Sequence, residues 1–257
     1  MSLFVFYNCA TCSELLEYSI IQMLPVTKNI TIHYQTKTNV NTLANKRHFR
    51  KYVKLAQKYH LELFEFWPDL NKSPKSNETQ KRNIAYKQAQ LRGANYFMSI
   101  DEDEIYDSKQ LQKAFQIFID GDWDSSVCRL LTYYKKPTLQ VNPPEDYYTS
   151  VFYIVDSRLF IEGLKFPVKV DPARKMKPNR LKIFNWEELT MHHYSYVRKN
   201  IKEKLRTQSA SVNFKDRIDD IVTHFKNHNG SFPAYWGGKQ PKYFDLKEVN
   251  NQFNIKI

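Results

Sequence analysis

The stretch Ala94-Asn95-Tyr96-Phe97-Met98-Ser99-Ile100-Asp101-Glu102-Asp103-Glu104 decides how the rest of the sequence is read. A short apolar run reads as a buried strand, and it ends abruptly in four consecutive acids, Asp101 to Glu104. A buried parallel strand delivers whatever stands at its C-terminal end into a crevice. Four carboxylates crowded there repel one another. A cation is therefore expected beside them, and the simplest is a divalent metal with oxygen ligands. The competing reading is a solvated acidic turn after an edge strand.

The upstream flank favours the crevice. Glu78 to Leu91 holds good helix formers, with apolar or small residues at helical spacing (Ile84, Ala85, Ala89), and Gly93 is a stop signal. The order is helix, turn, strand, acidic mouth. This passage, Arg82-Asn83 through Asp103, resembles the nucleotide-sugar half of glycosyltransferases with the GT-A fold, especially the inverting family 2 group. Those carry an Arg-Asn on a helix, a Gly-Ala/Asp-x-Tyr entry, an apolar strand and an Asp-x-Asp motif, which stands here as Asp101-Glu102-Asp103. The resemblance covers residues 78–107, and extends by pattern alone over the residues before them.

Outward from this centre, the chain alternates strand and helix. Leu3–Asn8 is a continuous apolar strand, Ser13–Leu24 an amphipathic helix with Ser13 as its cap, and Asn29–Gln35 a β-branched strand. Ala44–Tyr59 is a basic helix and Leu61–Trp67 a third strand. This alternation predicts an α/β fold, with a mostly parallel central sheet and helices on both faces. Ser108–Ile119 is a further helix, and Ser126–Tyr134 and Ser150–Val155 are strands of a less regular second half. Lys199–Thr207 and Asn213–Asn227 read as helices, Gly237-Gly238 and Pro241 as a loop, and Tyr243–Ile257 as a short tail. Phe232, Tyr235, Trp236, Tyr243 and Phe244 read as residues packing that tail onto the core, with stacking on sugars or bases as the alternative. The expected division is a catalytic domain over 1–197, with a nucleotide-sugar half at 1–107 and an acceptor half at 108–197, followed by a helical extension over 198–257.

Composition bounds the partners. The 257 residues suffice for a large core. Only 6 glycines are present and no Gly-rich phosphate loop appears. There is no apolar run of membrane-spanning length and no signal-peptide pattern, from which a cytoplasmic location is expected. Cys9, Cys12 and Cys128 lack the second pair or the nearby His of a zinc site and read as small buried residues. The net charge of +12 implies polyanionic company: nucleotide phosphates, acidic glycans, nucleic acid or an anionic membrane surface.

A second informative stretch is Trp186-Glu187-Glu188-Leu189-Thr190-Met191-His192-His193-Tyr194-Ser195-Tyr196-Val197-Arg198-Lys199. Neutral imidazole is a good ligand for Mn²⁺ or Zn²⁺. The GT-A resemblance implies a late His that closes the metal site, so His193 joins Asp103 as expected metal ligand, with His192 the alternate and Asp101 a further possibility. Arg198 and Lys199 are expected diphosphate contacts, since a leaving group's charge needs a fixed cation. Asn8, Arg82, Asn83 and Asp101 are expected on the nucleotide-sugar. Glu187 and Glu188 are the expected base candidates. The Pro-containing basic loop Asp171–Arg180 reads as an ordinary exposed loop, with a lid over a phosphate-rich site as the alternative.

The resemblance thus implies a metal-dependent transfer, with Mn²⁺ or Mg²⁺, from a nucleoside diphosphate sugar, UDP foremost, to a polysaccharide or lipid-linked glycan. Duplex DNA with modified bases is the alternative acceptor, which the basic charge suits. Two other classes compete: a non-catalytic nucleic-acid-binding protein, and a metal-dependent nuclease or phosphohydrolase.

Overall fold

The computed structural model describes residues 1–227, 230–234 and 242–257. Leu3–Asn8 (β1), Ile30–Tyr34 (β2), Glu62–Glu65 (β3) and Tyr96–Asp101 (β4) pair as parallel strands in the spatial order 3-2-1-4. The register of β1 on β4 sets Asn8 opposite Asp101, so both strands end at one level. β1 reads as an unbroken apolar run because both of its faces are covered. Its Val5 and Tyr7 pack with Leu16, Ile20, Tyr52 and Leu111, while Phe4 and Phe6 pack on the other side with Ala85, Tyr86 and Phe97.

The helices come from Ser13–Met23 (α1), Lys46–Tyr59 (α2) and Pro74–Leu91 (α3). α1 and α2 cover one face of the parallel strands and α3 the other. α3 begins before the expected Glu78, because Ser73 caps the backbone N–H of Ser76 and Pro74 occupies the first turn. Past its end, Gly93 takes a φ of 64°, which only glycine adopts without cost. Cys9, Cys12 and Cys128 are buried free thiols.

The second half is mixed. Glu104–Tyr106 (β5) leads into Ser108–Asp120 (α4), whose first turn is capped by Asp107. Ser125–Tyr134 (β6), Leu139–Asn142 (β7), Tyr148–Ile154 (β8), Leu181–Ile183 (β9) and Thr190–Tyr196 (β10) follow. β8 joins β4 to β6 with antiparallel pairing on both sides. β10 runs parallel to β6 and antiparallel to β5, with His193 opposite Glu104. The stretch that carries His192 and His193 is thereby laid beside the acids.

The C-terminal segment departs from the helical expectation. After Ile201–Thr207 (α5) and Ile218–Asn227 (α6), Ser231–Ala234 (β11) and Lys242–Glu248 (β12) form an antiparallel pair that extends the sheet through β7. Part of the expected tail is therefore a strand. Phe232 packs in the core as expected, whereas Tyr243 is exposed. The loop expected at Gly237-Gly238 and Pro241, with Tyr235 and Trp236, lies outside the described residues. Among the described residues no helix is long and apolar enough to cross a membrane.

Candidate active site

The site is built at the C-terminal ends of β1 and β4. Asp101 closes β4, and its Oδ1 accepts from Asn8 Nδ2 at 2.9 Å and from Arg82 Nη2 at 3.0 Å. Arg82 reaches it from the buried face of α3, steadied by Ser99 Oγ at 3.2 Å. The other oxygen, Oδ2, meets Arg174 Nη2 at 2.7 Å. Burial raises the proton affinity of Asp101, but the Arg174 and Arg82 guanidinium groups outweigh it and bring its pKa down to about 2.

The next three acids separate in role. Glu102 turns inward: its Oε1 accepts the backbone N–H groups of Ala10, Thr11 and Cys12 at 2.9, 2.7 and 2.6 Å, and its Oε2 accepts Tyr52 Oη at 2.6 Å. It clamps the loop after β1 to the head of α1. Glu104 is held by Arg174 through two hydrogen bonds of 2.7 and 3.0 Å, yet burial still pushes its pKa up to about 7. Asp103 faces the cleft. Its Oδ2 receives Arg198 Nη2 at 2.5 Å and Lys204 Nζ at 3.2 Å, and its Oδ1 lies 3.8 Å from His193 Nε2. Burial opposes its charge, but Lys204, His193 and Arg198 together hold it far below the ordinary carboxylate range.

The cations that the acidic run demanded are thus side chains of the protein itself: Arg82, Arg174, Arg198 and Lys204. The repulsion of the acidic run is thereby met without a metal. Fit to a metal comes down to one pair of donors, Asp103 Oδ1 and His193 Nε2. Burial brings the pKa of His193 down to about 4, so its imidazole is neutral and has a lone pair to give. Among the described residues no three His, Cys, Asp or Glu side chains converge as a metal group. The pair therefore offers a divalent cation two ligands, one oxygen and one nitrogen, and such an ion would complete its shell elsewhere.

Two compartments meet at Asp101. The first is a polar cleft of about 110 Å³ with Asn8, Thr11, Gln35, Asn39, Asp103 and Lys204 in its walls. The second is a cavity of about 620 Å³ with a mainly apolar wall that includes Leu130, Pro143, Tyr147, Tyr148, Met191 and Phe244. Asp101 contributes to both.

Of the residues expected here, Asn8, Asp101, Asp103 and Arg198 line the polar cleft, and Arg82 stands behind Asp101. His193 lines the apolar cavity. Four expectations need correction. Lys199 is exposed beside the buried Arg198, and Lys204, one turn into α5, is the second cation of the cleft. Asn83 lies about 100° further round α3 than Arg82, and there it ties down Phe160 with hydrogen bonds of 3.0 and 2.8 Å. His192 points to the opposite face of β10 from His193 and bonds Tyr133 Oη at 2.8 Å. Glu187 and Glu188 sit in the turn before β10 and line neither compartment; Glu187 is exposed and Glu188 pairs with Lys182 at 2.8 Å.

The segment 171–180 is not a free lid. Asp171 caps a short helical turn, Pro172–Arg174, and Ala173, Arg174 and Met176 are buried. Arg174 was hidden from sequence reasoning because a basic, Pro-containing stretch looks solvated until its acid partners are known. Glu145, also missed, is a buried carboxylate in the wall of the apolar cavity. Its only sequence signal is its place after Pro143-Pro144.

No protein-family model matches the chain, and no curated protein sequence does. Among solved structures the chain is similar to S. aureus TarS 1-349, at 14% identity over 88% of this chain and 71% of that one, with a TM-score of 0.49. It is also similar to S. aureus TarS 1-349 in complex with UDP (14% identity, 91% and 74% covered, TM-score 0.46). A third is the inositol-1-phosphate CTP transferase from T. maritima (9% identity, 82% and 97% covered, TM-score 0.39). At these identities no residue role carries over to this chain.

Proposed function

We propose that this protein is a glycosyltransferase that moves a sugar from a nucleoside diphosphate donor to a hydroxyl of a glycan or lipid-linked glycan. The observation that carries this reading is the meeting of two unlike compartments at Asp101. A transfer between two substrates needs both held against one wall, with a cation on the leaving side. The polar cleft suits the nucleotide. Lys204 and Arg198 are its fixed cations for the diphosphate, and Asn8 and Asp101 are placed for ribose or sugar hydroxyls. Tyr147, Tyr148 and Phe244 give the second cavity faces on which a sugar ring can rest.

A divalent cation, Mn²⁺ or Mg²⁺, would be held by Asp103 and His193, and would supply Lewis-acid neutralisation of the leaving diphosphate. The acceptor cavity carries Asp101, Glu104, Glu145, Asp146 and Asp171 in its wall. Lys169, Arg174 and Lys242 share that wall, so it offers no excess of cations for a phosphate backbone, which favours a glycan over duplex DNA. Contact with an anionic membrane would fall on the outer stripe of α2. There Lys46, Arg50 and Lys54 are exposed at one-turn spacing, whereas Arg47 and Lys51 are tied to Glu203 and Glu17.

The test is thermal stabilisation by UDP, GDP, CDP and TDP, each with and without Mn²⁺. A ligand that binds the folded state raises the Tm. Stabilisation by one nucleotide names the donor base. No shift with any of the four overturns the reading and turns attention to nucleic-acid binding or metal-dependent hydrolysis.

A further inference from the structure

We propose that Glu145 is the catalytic base that takes the proton from the attacking hydroxyl, an assignment that rests on the glycosyltransferase reading above. Five carboxylates stand in the wall of the acceptor cavity, and four are engaged. Asp101 is held by Asn8, Arg82 and Arg174. Glu104 is held by the two terminal nitrogens of Arg174. Asp171 accepts the backbone N–H of Ala173 at 2.7 Å and faces Lys75 at 3.5 Å. Asp146 pairs with Arg129 at 2.7 Å and is turned out to solvent, with 91% of its side chain exposed. Glu145 is buried and, among the described residues, makes no ion pair and accepts from no backbone N–H. It is the carboxylate of this wall that has no cation to give up before it can accept a proton.

The surroundings suit that task. A buried carboxylate without a direct ion pair holds a proton more tightly than one in water, which sets it near the working pH of a base. Burial brings Glu145 up to about 7, opposed by the Thr132 hydroxyl and the Lys169 ammonium. Tyr147 and Tyr196 are the other titratable groups that feel its charge, and burial keeps both phenols protonated. Glu145 and Asp101 stand in the same cavity wall, and Asp101 also borders the donor cleft.

The step balances as follows. The acceptor oxygen forms a bond to the anomeric carbon, the bond from that carbon to the diphosphate oxygen breaks, and the electron pair leaves with the nucleoside diphosphate. The hydroxyl proton passes to the Glu145 carboxylate and from there to water. With water in place of the glycan, the same step hydrolyses the donor.

The experiment compares wild type with Glu145→Gln and Glu145→Asp. UDP release from UDP-N-acetylglucosamine and UDP-glucose is measured, with water as acceptor, alongside the Tm shift given by UDP. We expect release to fall by about 10²–10³-fold in Glu145→Gln, to be partly restored in Glu145→Asp, and the UDP shift to stay unchanged in both. Release at the wild-type rate in Glu145→Gln overturns the assignment. Absence of any nucleotide shift in the wild type overturns the donor reading instead, so the two failures are distinguishable. A further measurement needs no substrate: the Glu145 carboxyl, identified by its loss in Glu145→Gln, is titrated by carbon-13 NMR. A midpoint near 7 is expected, and an ordinary carboxylate midpoint overturns the proposal even if neither donor is turned over.

Discussion

Asp103 Oδ1 and His193 Nε2 lie 3.8 Å apart, brought together because β10 pairs with β5 directly after the acidic run. The same carboxylate gives its other oxygen to Arg198 and Lys204. On the proposed glycosyltransferase reading, diphosphate binding should therefore have two separable parts, one from these cations and one from a metal. In His193→Ala we expect UDP to raise the Tm in buffer without metal as in wild type, while the added shift from Mn²⁺ disappears. At a ligand concentration of 100 times Kd, a full site is worth about 2.7 kcal/mol, which is readily seen in a melting experiment. An unchanged Mn²⁺ increment in His193→Ala would rule His193 out as a metal ligand.

Arg174 is the buried keystone between Asp101 and Glu104, 2.7 Å from each. Removing one partner of a buried pair leaves an uncompensated charge, whereas removing both is far milder. Arg174→Met should cost about 3–5 kcal/mol in a urea titration. Adding Glu104→Gln to it should restore part of that loss, because the stranded carboxylate is then gone. Additive losses would show that the pair is not coupled.

Glu102 makes a different prediction, since its hydrogen bonds serve the loop rather than the ligand. Glu102→Ala strands three backbone N–H groups and the Tyr52 hydroxyl. Each buried unpaired donor costs about 1–3 kcal/mol, less what the loop regains from water, so a loss of roughly 3–5 kcal/mol is expected. Tyr52→Phe removes one hydrogen bond to a buried acid and should cost about 2 kcal/mol. Because Ala10 and Thr11 line the polar cleft, Glu102→Ala should also weaken UDP binding, and Tyr52→Phe should leave it nearly intact.

The parts of this site that could be read from the sequence are those set by local pattern. Tyr96–Asp101 is apolar because both faces of β4 are covered, and the acids follow where the strand leaves the sheet. Asn8 could be placed because β1 is equally apolar and ends at the same level. Asp103 and Arg198 stood in stretches whose residue types were unusual. The parts that could not be read depend on long-range neutralisation. Glu102 and Glu104 look like cleft acids until their partners, the loop after β1 and Arg174, are in place. Short strands such as β5 and β9 carry too few residues to show a period, and β10 draws its burial from β6 and Phe253 rather than from any alternation of its own. Glu187 and Glu188 drew attention by their nearness in sequence to the histidines, but β10 carries the histidines away from the turn that precedes it.

His33 links acid stability to the parallel half of the sheet. It is buried in β2, bonded to Gln88 at 2.9 Å and packed against Phe6 and Phe64. Burial, reinforced by the Lys81 ammonium, brings its pKa down to about 3. The unfolded chain titrates near the ordinary value of about 6.5. A histidine depressed in the folded state leaves stability whole above the unfolded value, and stability falls as the pH drops toward the folded one. This residue alone should therefore remove up to about 1.4 kcal/mol per pH unit between pH 6 and 4. His33→Gln, which keeps a hydrogen-bonding side chain but cannot take up that proton, should be less stable than wild type at pH 7.5 and show a shallower loss in that window. Parallel pH-stability curves for the two proteins, followed by urea denaturation, would show that His33 is already exposed to protons in the native state.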